Sequence, residues 1–223
     1  MKSAGLAAML LALAACSADP TPSPRPPCPT EAPTAVSAQA TLEGASLATV
    51  TVSGAVSGQF DILLAGDEAP IPTANFVDLA RCGFYDGIKF HRVLAGFVIQ
   101  AGDPGTRDHD GDFPGLGTGG PGYGFDIETP AAGQRYDKYA VAMANNTIAN
   151  GSQWFVTLDD LDAQLRAVGT YTIFGAVVGG VDVIDAIAAV PVNDPRIGIP
   201  LSAVSIEAIR ISSGTSPTPS GGG

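Results

Sequence analysis

The 223-residue chain predicts a mainly β fold, a closed or nearly closed antiparallel barrel capped by two helices. Apolar or alternating runs are short and separated by turn residues, and only two stretches carry the 3.6-residue period of an amphipathic helix. A hydrophobic content of 45% with 28 glycines supplies the core and the turns of one sizeable domain. Sheets built from many short strands escape the edge problem by closing on themselves.

Taken in order, strands are expected over 48–52 and 59–64, joined by a turn between Gly54 and Gly58. A helix follows. Pro72 suits its first turn, Thr73 offers a cap, Phe76, Val77, Leu79 and Ala80 form its apolar stripe, and Gly83 closes it. Further strands are expected over 89–93, 98–101, 140–144, 153–157 and 171–178, then a helix over 181–188 and a last strand over 204–211. Side chains fill the interior of a barrel this small, so a ligand site must lie on its outer face.

The ends read differently. Lys2 followed by the apolar run from Ala4 to Ala15, too short to span a bilayer, reads as a signal peptide over 1–15. Leu13-Ala14-Ala15-Cys16 resembles a bacterial lipobox, which would make Cys16 a lipidated N-terminus and place the protein outside the cytoplasm, anchored to the cell membrane. The alternative is ordinary secretion with cleavage near Ala15. Residues 16–40, proline-rich between Ser17 and Pro33, are expected to form an extended tether, 46–212 the folded domain, and 213–223 a disordered tail.

The chain carries 11 basic and 22 acidic residues; loss of Lys2 would leave 10 against 22, a net charge of −12. Such acidity argues against nucleic acid and against docking on anionic headgroups, because phosphates need lysine and arginine partners. Cys28 and Cys82 either pair as a disulfide in an oxidising compartment or remain a linker thiol and a small buried residue.

The segment NFVDLARCGFYDGIKFHRVLAGFVIQAGD, from Asn75 to Asp103, sets Arg92 ahead of Phe97-Val98-Ile99 and Gln100 on adjacent short strands. A second block runs from Met143-Ala144-Asn145 to Gly151-Ser152-Gln153-Trp154-Phe155. The spellings FHR, GFVIQAGD, MAN and NGSQWF resemble the cyclophilin family of peptidyl-prolyl cis-trans isomerases over about 48–211. The resemblance implies an eight-stranded antiparallel barrel with a helix at each open end and catalysis of X-Pro bond rotation. It makes Arg92 the catalytic residue. Phe97, Val98, Met143 and Phe155 would form the proline pocket, Gln100 would bond a substrate carbonyl and help place Arg92, and the backbone at Ala144 and Asn145 would pair with the peptide. Gln153 would lie at the pocket's edge, Leu165 would fill the place of a tryptophan common in eukaryotic members, and Tyr171 would stand where a histidine is often found.

Other chemistries find no support. Asp108, Asp110 and Asp112 around Gly111 lack the spacing and distal glutamate of an EF-hand, and glycines 115, 117, 119 and 120 run into Pro121 rather than a helix. There is no G-x-S-x-G, and the two histidines are His91, expected as a hydrogen-bonded core residue facing away from Arg92, and the loop residue His109. Trp154 should likewise face away from Phe155. The expectation is a monomeric isomerase acting on proline-containing polypeptides, assisting folding of exported chains, with no cofactor and no metal. The rival is a non-catalytic proline-peptide-binding module at the cell envelope.

Overall fold

A computed structural model describes residues 24–145 and 150–214. The signal peptide, Cys16 and residues 215–223 of the tail lie outside the described residues.

Eight strands form one antiparallel sheet: β1 (Leu47–Gly54), β2 (Gly58–Leu64), β3 (Arg92–Leu94), β4 (Val98–Ala101), β5 (Ala140–Asn145), β6 (Asn150–Thr157), β7 (Ile173–Gly179) and β8 (Val204–Ser212). Their order is β3-β4-β6-β5-β7-β2-β1-β8. The sheet curls until its ends meet, where Lys89 bridges Ser205 and the backbone N–H of Phe90 donates to Val204 O at 3.0 Å. Alternation dictates what fills the interior. In β1, Ala48, Val50 and Val52 are buried while Thr49 and Thr51 face outward, and Val50 stands opposite Phe60 on one side and Ile209 on the other. Phe76, Phe90 and Trp154 meet inside, with Trp154 edge-on to both rings at 6.0 and 5.8 Å between centroids.

Among the described residues four α-helices accompany the sheet, two more than expected: α1 (Ala35–Leu42), α2 (Pro70–Cys82), α3 (Asp162–Val168) and α4 (Val181–Ala188). α4 matches its expected span, and α2 holds Pro72 in its first turn as expected. Thr73 does not cap α2, because its hydroxyl donates to Ala69 O at 2.6 Å, back into the preceding turn. The Glu128 carboxylate instead accepts from Ile71 N at 3.3 Å, taking one of the unpaired N–H groups at that end. Gly83 closes the helix in the left-handed region, φ +82°. α3 and α1 were illegible because each buries a single residue, Leu165 and Ala38, so neither displays an apolar stripe. A capping box fixes the start of α1: Thr34 Oγ1 accepts from Ser37 N, and Ser37 Oγ accepts from Thr34 N.

Part of the span 16–40, expected as a tether, is tied to the domain. α1 packs on α2, Arg25 pairs with Asp86, and Cys28 forms a disulfide with Cys82 at the end of α2. Residues from Arg25 onward therefore belong to the folded domain.

Candidate active site

β3 and β4 pair with Arg92 opposite Gln100, Val93 opposite Ile99 and Leu94 opposite Val98. β6 continues the row, setting Phe155 opposite Gln100, and β5 adds Ala142 opposite Phe155. Since facing residues share a side of the sheet, Arg92, Gln100 and Phe155 lie together on the outer face, while Ile99, Val156 and Trp154 point inward. Beside them a cavity of about 170 Å³ is lined by Arg92, Phe97, Val98, Gln100, Ala144, Asn145, Phe155, Leu165 and Tyr171. These come from four strands, two loops and α3.

Met143 is not among them. Its side chain is fully buried in the barrel interior, opposite Trp154 across the β5–β6 pair. Ala142 and Ala144 pack with the cluster behind the cavity, whereas Met143, between them on β5, turns to the opposite side and packs in the barrel. The pocket expectation for Met143 is corrected on that ground. The wall is apolar: Val98, Phe155 and Leu165 belong to a buried cluster distinct from the barrel core, and Phe155 meets Tyr171 edge-on at 5.5 Å.

Tyr136, which the sequence did not single out, holds this wall in place. Its hydroxyl donates to Tyr171 O at 2.7 Å and accepts from Tyr171 N at 3.1 Å, fixing the approach to β7. A pairing across 35 residues leaves no local signal. Asn145 Nδ2 donates to Thr170 O at 2.8 Å, tying the end of β5 to the same approach.

Arg92 is half-buried, with its guanidinium carbon 5.8 Å from the centre of the Phe97 ring. Among the described residues no carboxylate lies within ion-pair range of it. Burial lowers its pKa from the usual value and nearby Tyr171 opposes that shift; a guanidinium remains charged regardless. Gln100 donates through Nε2 to Gln153 Oε1 at 2.9 Å, and Gln153 donates through its own Nε2 to Gly117 O and Gly119 O at 2.9 and 2.8 Å. Gln153 therefore supports Gln100 from outside the cavity and lines a larger neighbouring groove of about 710 Å³ with the glycine loop 117–124.

His91 faces the other way, as expected, and among the described residues neither buried ring nitrogen has a partner in good hydrogen-bond geometry, the Lys89 backbone being the polar group beside it. Burial, against an opposing pull from Asp103, lowers its pKa to about 4. In the acidic loop, Lys89 Nζ binds Asp110 at 2.7 Å and the carbonyls of Arg107 and His109. Lys89 thus ties that excursion to the approach to β3. Among the described residues no group of three acidic, histidine or cysteine side chains could hold a metal, and no helix is long and apolar enough to cross a membrane.

The family model described as cyclophilin type peptidyl-prolyl cis-trans isomerase/CLD matches residues 47–211. Peptidyl-prolyl cis-trans isomerase B of Streptomyces anulatus is 41% identical over 172 residues, 69% of this chain and 91% of the relative. Peptidyl-prolyl cis-trans isomerase A of Mycobacterium tuberculosis is 38% identical over 175 residues, 70% of this chain and 87% of the relative. The crystal structure of a Cryptosporidium parvum cyclophilin type peptidyl-prolyl cis-trans isomerase in the presence of the dipeptide Ala-Pro superposes with a TM-score of 0.63 at 27% identity, covering 75% of this chain and 99% of that one. The chain belongs to the cyclophilin family of peptidyl-prolyl cis-trans isomerases.

Proposed function

We propose that Arg92 catalyses rotation about X-Pro bonds in polypeptides whose proline ring sits in the cavity walled by Val98, Phe155 and Leu165. The observation that carries this reading is the half-buried Arg92, which no carboxylate among the described residues engages, at the edge of an apolar cavity. The barrier to rotation is amide resonance, roughly 18–20 kcal/mol. As the bond twists, the proline nitrogen recovers its lone pair and becomes a hydrogen-bond acceptor, which it is not when planar. A fixed cationic donor at that point stabilises the twisted amide more than either planar form. The apolar wall holds the ring while the preceding carbonyl swings, and Gln100, its nitrogen held by Gln153, turns its Oε1 toward the side that Arg92 lines and helps place the guanidinium. The backbone of Ala144 and Asn145, half-buried at the rim of the cavity, is the stretch that would pair with the peptide main chain, with little sequence selectivity.

Its clients are exported chains, for which slow proline steps limit folding, and the protein acts outside the cytoplasm, held to the membrane by acylated Cys16. The lipobox-like sequence and the acidic charge support this placement. Two experiments test the proposal. Exchange NMR or a coupled-protease assay on an X-Pro peptide should show acceleration by the protein and loss of about 100-fold or more in Arg92→Ala; a protein that binds the peptide without accelerating exchange is a recognition module. Mass spectrometry of the N-terminal peptide should find acyl chains on Cys16, and an unmodified or cleaved terminus would remove the anchor.

A further inference from the structure

We infer that Asp103, which lines neither the proline cavity nor the neighbouring groove, is a positioning residue for isomerisation, acting through the amide pair Gln153–Gln100. The inference rests on the isomerase reading above. Asp103 follows β4 and is 1% exposed. Among the described residues no lysine or arginine pairs with it; its two oxygens are instead spent on two backbone N–H groups, Gly105 N at 2.8 Å and Gly117 N at 2.7 Å. The carboxylate thus clamps both ends of the loop that carries the acidic excursion.

What it clamps is the acceptor for Gln153. Gly117 O and Gly119 O both accept from Gln153 Nε2, and that double contact settles which way the amide faces. Gln153 Oε1 is then turned to Gln100 Nε2, so Gln100 directs its nitrogen away from the cavity and leaves Oε1 on the side that Arg92 lines. If loop 117–119 shifts, Gln153 loses its reason to hold this orientation. Both amides can then flip in concert, setting the Gln100 NH2 beside a guanidinium that offers only donors. The chain of contacts runs from Asp103 through the residue Gly117 and two side-chain amides to the strand position opposite Arg92.

Gly119 supplies an independent sign that this contact is tight. A Cβ built there would lie 2.1 Å from Asp103 Oδ1, although the backbone at 119 is not left-handed. The residue is glycine because of where the carboxylate sits. Alanine would be tolerated by the backbone and would push the carboxylate off its two N–H groups.

The test is a double-substitution cycle in the full chain, held in detergent and assayed on an X-Pro peptide. Asp103→Asn keeps the size and one acceptor but sets an NH2 against one of the two N–H donors. Asp103→Asn and Gln153→Ala are each expected to lower kcat/KM between about tenfold and about 100-fold, mostly in kcat, as misplacement of a reacting group does. Because both act through one relay, the double variant should fall no further than the worse single one, within about twofold. Gly119→Ala should reproduce the loss, and the side-chain amide resonances of Gln100 should move in all three single variants. Asp103→Asn within about twofold of the parent, or losses that multiply in the double variant, would overturn the inference. Should Asp103→Asn not fold, Gly119→Ala decides alone: parent-like activity with an unmoved Gln100 resonance sinks the relay. If the parent and Arg92→Ala turn over peptide equally, the isomerase reading fails instead.

Discussion

Removing the Cys28–Cys82 disulfide should cost the domain about 4 kcal/mol of stability without changing its catalysis. The two cysteines are 54 residues apart in sequence, and cross-linking a loop of that length removes about 14 cal/mol/K from the unfolded chain, or about 4 kcal/mol at 25 °C. Reduction also frees the segment carrying Arg25. Its ion pair with Asp86 is partly exposed and adds little. The assay is urea unfolding followed by fluorescence of Trp154, the one tryptophan of the chain, which is fully buried in the barrel. With an m-value of about 2 kcal/mol/M, the midpoint should fall by about 2 M in the presence of reductant or in Cys28→Ser/Cys82→Ser. The bond lies at the end of α2, among none of the residues that line the proline cavity, so kcat/KM at low urea should be unchanged. A midpoint shift under about 0.5 M would show that closing this loop does not constrain the unfolded chain as reasoned.

Arg92→Lys keeps the charge but loses the rigid planar donor array, and kcat should drop by about 100-fold with peptide binding retained; near-parent kcat would show that charge alone suffices. Phe155→Ala should raise KM by opening the proline cavity, whereas Met143→Ala should leave KM unchanged and cost about 2–5 kcal/mol in a urea titration, because its side chain packs in the barrel. The reverse pattern would restore Met143 to the pocket. His91 sets a pH dependence. Its ring titrates near pH 4 when folded and near 6.5 when unfolded, so below 6.5 the unfolded chain takes up a proton that the folded one does not. Stability from this residue is full above pH 6.5 and falls by about 3 kcal/mol as pH drops to 4. Urea midpoints at pH 7.5 and 4 should show this loss in the parent and lack it in His91→Phe; equal losses in both would place the titration elsewhere.

Much of the barrel was legible because alternation is a local signal. A strand over 98–101 and a helix over 181–188 were read with their observed bounds, and every other strand was found within a few residues of its place. α1 and α3 were not, since a helix that buries one small or apolar residue has no stripe to display. The pocket residues carried by motif spelling, Arg92, Phe97, Gln100 and Phe155, do converge on one cavity. Met143 was misplaced although the signal was present: it sits between Ala142 and Ala144, and the period of two allows only one side of that strand to face out.

The sequence by itself determined the strand periodicity, the acidic balance, the signal-like start and the one cationic residue set among pocket-forming neighbours. Only the tertiary structure decided that Cys28 pairs with Cys82, that Tyr136 locks Tyr171, that the His91 ring is buried, and that Asp103 clamps the loop on which Gln153 depends. The physical reason is range. Periodicity and charge are properties of neighbours along the chain, whereas a disulfide, a buried carboxylate and an amide relay join residues that only the closing of the sheet brings within bonding distance.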